Sequence, residues 1–461
     1  MLKQRVATAL GIGGALWLMT GAWNRVAAGD AGGAGGAFGN GRLRYEIGAD
    51  GCIKGFIDLQ TGVNYAAPGR PAASVRIGGE QVAATGAKTD GERVTLAFGD
   101  QASAVLRIAP GPRHLVIEVI SAKGEDVDEL TFVDVPLTLQ GEPDEPFTAC
   151  VLARNLQTNV REIPQAMSRL RATCYRRFGF AGASAAVIGC PSGELRDVLK
   201  EAVLASPELP HSTVGGPWAM DSADNRGSYL FNYYGLTERT VDEWIGLAKA
   251  AGIRQIDFHG GGSFRFGDCR PNPELYPQGY ASLKAVIDRL HAAGIKAGLH
   301  TYAFFIDKRC PWVTPIPDKR LGKDATFTLS ADLDAEDTTV PVGESTERMS
   351  TLTDFFVRNS VTLQIDDELI VYKRIVKERP FAFAECQRGA YGTKAAAHPA
   401  GAKVHHLKEC FGLFAPDGDS TLLAEVAAKT AEAYNECGFD MIYLDALDGE
   451  DVLGGGEYGW H

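Results

Sequence analysis

Two aspartates three positions apart, Asp445 and Asp448, follow a run of strand-type residues, Met441 to Leu444. A carboxylate at the C-terminal end of a barrel strand projects into the mouth, where it can attack an anomeric carbon. Glycoside hydrolysis needs two carboxyl groups flanking the bond, about 5 Å apart when configuration is retained and wider when it is inverted. Either aspartate can take that role, and the plain alternative is a helix N-cap or a loop-ordering carboxylate. Upstream, Asp257-Phe258-His259-Gly260-Gly261-Gly262 and His300-Thr301-Tyr302 end two other apolar runs. Asp257, His259 and His300 can hydrogen-bond sugar hydroxyls, and such sets at adjacent strand ends can also ligate a metal. A satisfied core histidine is an equal reading of His300. No second ligand motif accompanies them, so no metal or other cofactor is expected. Aromatic rings crowd the same segments: Tyr233, Tyr234, Phe258, Phe264, Phe266, Tyr302 and Trp460. Sugar C–H faces stack on such rings in concave sites. Tyr233, Tyr302 and Trp460 are assigned to a pocket, and Phe258 to the core.

Positioning these residues requires strands that end together. From Ser228 the chain alternates strand and helix. Tyr229 to Tyr234 reads as a strand, and Thr237 can N-cap a helix through Ala251, with Val241, Trp244, Ile245 and Ala248 on one face. Ile253 to Phe258, Ile295 to Thr301 and Phe439 to Leu444 read as further strands, with helices over Tyr280 to Ala293 and Leu422 to Cys437. Gly252, Gly294 and Gly438 stop the three helices just before the next strand. Such alternation means parallel strands joined by crossovers. A barrel and a doubly wound sheet both satisfy it. The lack of a G-x-G-x-x-G after the first strand and the long aromatic loops favour a (β/α) TIM-type barrel.

The alternation is broken once. The segment 326–406 carries short strand-like runs, Gly and Pro turns and no convincing helix. It reads as a small β domain inserted in a βα loop and replaceable by a short linker. Its Gln387-Arg388-Gly389-Ala390-Tyr391-Gly392-Thr393, followed by Ala395-Ala396-Ala397-His398, resembles a β module of phage tail and adhesin-type proteins. The barrel domain, 228–325 plus 407–461, then holds four strands where closure needs about eight, so the sequence reads as truncated within the barrel. Before it, 42–190 shows alternating strand runs such as His114 to Ile120 and reads as an all-β sandwich, with a connector at 191–227.

At 461 residues the chain exceeds one compact domain, and 45% hydrophobic with 23% charged residues is ordinary for folded protein. The net charge of −12 argues against nucleic acid or an anionic membrane as the main partner. Lys3 and Arg5, the apolar run Val6 to Thr20, and Val26-Ala27-Ala28 follow the plan of a secretory signal peptide, residues 1–28, with a Gly/Ala-rich tether at 29–41. The expected location is therefore secreted or periplasmic, without stable membrane insertion once the signal is removed. An uncleaved anchor is the other reading. Nine cysteines without a close CxxC pair give neither a disulfide scaffold nor a zinc pattern, although one or two disulfides could form after export.

A β-sandwich followed by a barrel with an aspartate ending its fourth strand resembles the α-galactosidase/α-glucosidase clan of glycoside hydrolases, and the sandwich resembles the mutarotase-like domain of those enzymes. The resemblance implies a retaining glycoside hydrolase acting on an α-linked glycan, with Asp445 as nucleophile. It also implies an acid/base residue from a later strand, beyond His461, so that the fragment is inactive alone. The clan's Lys-x-Asp or Trp-x-Asp-Met around the nucleophile is absent, and Tyr443-Leu444-Asp445 stands there instead. Two other functions fit the residues: a metal-dependent carbohydrate hydrolase or deacetylase using Asp257, His259 and His300, and a non-catalytic exported carbohydrate-binding protein.

Overall fold

The computed structural model describes residues 35–454, apart from 68, 161–168, 207, 212–215, 219–220 and 224–225. The signal-peptide assignment and Trp460 lie outside the described residues. The chain divides into two compact units at Glu208/Leu209.

The first unit is antiparallel β structure. Its sheets have three, four and six strands; the largest runs in the order 147–153, 184–191, 115–123, 102–110, 93–98, 86–90. Period-two patterning decides which side chains go in. Along Arg93–Phe98, for example, Val94, Leu96 and Phe98 are buried while the residues between them are not. One core containing Tyr45, Phe56, Leu96, Leu106, Ile117, Leu130, Phe132 and Leu170 joins all three sheets, which is sandwich packing. Two boundaries differ from the sequence reading. Gly36–Gly39, assigned to the tether, forms a strand paired with Leu43–Ile47. The connector contains a helix, Leu195–Leu204, whose Val198 and Ala202 pack on Ala186, Ile188 and Cys190 of this unit.

The second unit holds the strand–helix alternation. Its parallel sheet consists of β1 (Ser228–Asn232), β2 (Ile253–His259), β3 (Lys296–Thr301) and β4 (Met441–Leu444), in that spatial order. The helices are α1 (Val241–Ala251), α2 (Tyr280–Ala292) and α3 (Leu422–Cys437). Helix α1 begins at Val241 rather than at Thr237, because Thr237 to Thr240 close a turn first: the Thr240 N–H donates to the Thr237 carbonyl at 3.1 Å. Gly252 and Gly438 end α1 and α3 at φ 71° and 77°, the left-handed conformation that glycine adopts without a Cβ clash. The helices share one face. Val241, Ala248, Leu283, Val286, Leu290 and Ala433 form a core with Ile256, Phe258, Ala297 and Leu299 of the strands. Among the described residues the sheet is open, with β1 and β4 at its edges.

Between β3 and α3 the chain builds antiparallel structure. Its four-stranded sheet runs 323–328, 403–407, 362–365, 368–371, and a three-stranded sheet lies beside it. Phe327, Leu363, Ile370, Phe383 and Val404 are among its own core. The entry and exit strands pair, Lys323 with Leu407, so the excursion starts and ends at one place. The segment also packs outside its own core. Leu369 and Ala390 join Ile306, Leu321, Phe414, Leu422 and Val426 in a second core, so the insertion packs directly on α3. All nine cysteines are unpaired. Among the described residues no helix is long and apolar enough to cross a membrane.

Candidate active site

Strand alternation sorts β2 and β3 into two faces. Ile256, Phe258 and Leu299 enter the helix-side core, so Asp257, His259 and His300 point to the other side. There the register aligns His259 with His300, and His300 with Tyr443. One further ladder bond, from the Asp445 N–H to the Thr301 carbonyl at 2.8 Å, carries Asp445 just past the end of β4. Ala446 then turns the chain with φ 63°, and its N–H donates to Asp445 Oδ1 at 2.8 Å.

This face is concave. Neighbouring strands lie about 4.8 Å apart, so β1 and β4 would be roughly 14 Å apart in a flat sheet. Yet the rings of Phe231 on β1 and Tyr443 on β4 have centroids 6.0 Å apart. The enclosed surface is aromatic. Tyr233 stacks on His259 at 4.3 Å, His259 on His300 at 4.4 Å, and Phe266 on Tyr302 at 4.3 Å. Tyr302 also meets Phe411 and Phe355, the latter carried by the inserted segment. The mouth remains open: Tyr233 is 56% and Tyr443 40% exposed.

The polar centre is a pair. The buried His300 places Nε2 3.1 Å from Asp445 Oδ2, and the Asp445 side chain is 44% exposed. Burial lowers the His300 pKa against the pull of Asp445, which favours a neutral ring. A neutral ring that donates from Nε2 leaves Nδ1 as a bare acceptor, and Nδ1 is indeed buried without a protein partner. Burial also pushes His259 down, to about 4, with the His300 ring adding to the effect. For Asp445 burial acts upward, but the His300 hydrogen bond and the Ala446 N–H outweigh it and hold the carboxyl below its usual range. Asp445 is therefore an ionised, oriented and accessible carboxylate at neutral pH, which is what a nucleophile requires and a general acid does not.

The other expected residues fall differently. Asp257 lies deeper on the same face, 1% exposed, with Oδ1 accepting from Gln255 Nε2 at 2.7 Å. Burial raises its pKa. It forms part of the floor, and its Oδ2 is buried without a partner. Asp448 is exposed in the turn Leu447–Val452, and Arg358 binds its backbone carbonyl. The stacked imidazoles of His259 and His300 do not converge with Asp257 on a common point, and among the described residues no three His, Cys, Asp or Glu side chains form a metal-holding group. Phe231, Tyr443, Phe355 and Phe411 were not singled out from the sequence. Alternation along β1 and β4 could have flagged the first two; nothing local marks the others.

No family model matches the sequence, and no curated protein matches it. Solved structures resemble it at a distance. An α-galactosidase from Lactobacillus brevis is 10% identical, over 92% of this chain and 67% of that one, with TM-score 0.43. The α-N-acetylgalactosaminidase NagBb from Bifidobacterium bifidum, in complex with GalNAc, is 9% identical over 89% and 70%, with TM-score 0.43. A GH31 family sulfoquinovosidase from E. rectale is 10% identical over 60% of this chain, with TM-score 0.35, and this chain spans about half of its length, 49%.

Proposed function

We propose that the second unit is the opening half of a (β/α) barrel belonging to a retaining glycoside hydrolase of α-linked glycans, with Asp445 as nucleophile. The strand order runs without reversal and all helices lie on one face, as in a singly wound barrel; a doubly wound sheet reverses order and carries helices on both faces. The observation that carries the functional reading is the His300–Asp445 pair. It presents an ionised carboxylate at the strand ends, inside a concave wall of rings. One oxygen of Asp445 is held by His300 and the other by the Ala446 N–H, so the carboxylate is oriented before substrate arrives. Attack on the anomeric carbon forms a glycosyl ester while a second carboxyl group protonates the leaving oxygen. In this reading the acid comes from outside the described residues, on a later strand, and the chain is exported by its N-terminal segment.

The test is Asp445→Asn in the protein with its barrel complete. Turnover of aryl α-glycosides should fall by several orders of magnitude, as for loss of a covalent nucleophile, with glycan binding retained. Near-normal turnover by Asp445→Asn, or hydrolysis by residues 1–461 alone, would refute the assignment. Retained binding without turnover in the complete wild-type protein would instead favour a non-catalytic carbohydrate-binding role.

A further inference from the structure

A second site is built where the inserted β sheet meets the segment leading into it. A cavity of about 280 Å³ is lined by Lys319, Lys323, Gln364, Asp366, Lys403 and His405. Its floor follows from register. Thr326, His405 and Gln364 lie side by side on three adjacent strands, and Thr328 pairs with Lys403 two positions along. These residues occupy the sheet face opposite to Phe327, Leu363 and Val404, which fill the module's core. This polar floor, with Lys319 and Lys323 completing the lining beside Lys403, is therefore a surface that the module does not use for its own packing.

The donors are only partly spent. Lys323 Nζ gives hydrogen bonds to the carbonyls of Lys319 and Leu321, leaving one of its three N–H groups. Lys403 Nζ gives one to Thr328 Oγ1 at 3.0 Å, leaving two. His405 engages Thr326 Oγ1 through Nδ1 at 3.0 Å. Gln364, 2% exposed, spends Nε2 on the carbonyls of Pro317 and Asp366, both at 3.3 Å, while its Oε1 is buried without a partner. An orphaned buried amide oxygen is destabilising unless a water or ligand hydroxyl meets it. The one acid of the lining, Asp366, is 71% exposed and tied to His398 Nδ1 at 3.1 Å. After burial, the charges of Lys323 and Lys403 depress the His405 pKa, with Asp366 acting the other way, so both ammonium groups bear on the cavity; Asp318 and Asp417 in turn act on Lys323.

We propose that this cavity binds a small oxyanionic ligand, a sulfate, phosphate or carboxylate group either free or carried on a single sugar, with Lys323 and Lys403 pairing its charge and Gln364 Oε1 accepting from a hydroxyl. The volume lies just under the range of roughly 300–1,000 Å³ usual for small-molecule pockets, which suits one anionic sugar or ion rather than a chain. The proposal is independent of the role given to Asp445.

Isothermal titration of the 461-residue chain with sodium sulfate, phosphate, glucuronate and glucose tests it. Saturable binding of at least one anion is expected, weaker at high salt and absent for glucose. In Lys323→Gln/Lys403→Gln the affinity should fall about tenfold or more, since two charges in direct contact are removed. If the double variant fails to fold by circular dichroism, Lys403→Gln alone carries the comparison, because among the described residues its ammonium bonds Thr328 alone. Tighter binding of glucuronate than of the inorganic ions assigns a sugar-borne anion, and the reverse order a free one. No saturable binding of any anion, equal binding of glucose, or unchanged affinity in the variants overturns the site.

Discussion

Arg388→Met should be among the most damaging single changes in the inserted segment. Arg388 and Glu368 are 6% and 1% exposed at the side chain. One carboxylate collects five donors: Arg388 Nε at 2.8 Å and Nη2 at 2.7 Å, the Gly389 N–H at 2.9 Å, the Ala396 N–H at 3.2 Å and His398 Nε2 at 2.9 Å. The guanidinium also caps the carbonyls of Asp334, Asp337 and Ala396. Methionine fills a similar volume but strands a buried carboxylate. Breaking such a pair from one side costs about 3–5 kcal/mol. At about 2–4 °C per kcal/mol for a unit of this size, Tm should drop by roughly 6–20 °C. The pH dependence supplies a second readout. In the parent protein burial raises the Glu368 pKa, but Arg388, His398 and the two amides more than offset it, so the carboxyl is depressed. A depressed carboxyl contributes stability above its unfolded pKa, about 4.3, and loses it as pH falls through the folded value. In the variant the buried charge loses its two guanidinium donors and keeps only His398 and the Gly389 and Ala396 amides, so its stability should gain less, or fall, as pH rises. The gap between the two proteins should be widest near neutrality and shrink towards pH 4, measured by urea denaturation. A neutral-pH difference below about 1 kcal/mol, or a gap that widens in acid, would refute the reasoning.

Three further outcomes follow from the site and its supports. Asp257 carries a pKa raised by burial, so its contribution to stability is present below its unfolded value and lost as pH rises; Asp257→Asn should therefore raise Tm near pH 8 and leave it unchanged near pH 3. His300→Phe removes the hydrogen bond that most lowers the Asp445 carboxyl, and carboxyl-carbon NMR should find the Asp445 pKa higher; an unchanged value would remove His300 from the pair. Replacing 326–406 by a Gly/Ser linker uncovers Ile306, Leu321, Leu422 and Val426, so a loss of at least about 3 kcal/mol in chemical denaturation is expected, and undiminished stability would show that the insertion is energetically separate.

What could be read from the sequence was what is encoded locally. Gly252 and Gly438 mark helix ends because only their own backbone conformation is at stake, and the strands between the glycines follow from short apolar runs. The helix Leu195–Leu204 was equally legible, since Leu195, Val198, Leu199 and Ala202 keep helical spacing, but the Pro- and Gly-rich surroundings read as a connector. Asp257 shows the limit at a single strand. It shares a face with His259, and only its depth, two residues below the rim and opposite Gly298, turns it from a ligand-facing group into a buried support. The lining of the site lay further out of reach, because it depends on curvature. Phe231 meets Tyr443 across two intervening strands only when the sheet curls, and Phe355 reaches Tyr302 from inside an insertion that was read as separate. The same curl brings the His300 ring, aligned with Tyr443 in register, within hydrogen-bonding distance of Asp445. A carboxylate at a strand end is a common feature; the buried neutral imidazole behind it and the rings around it are what make this one a candidate nucleophile, and those are properties of the folded sheet.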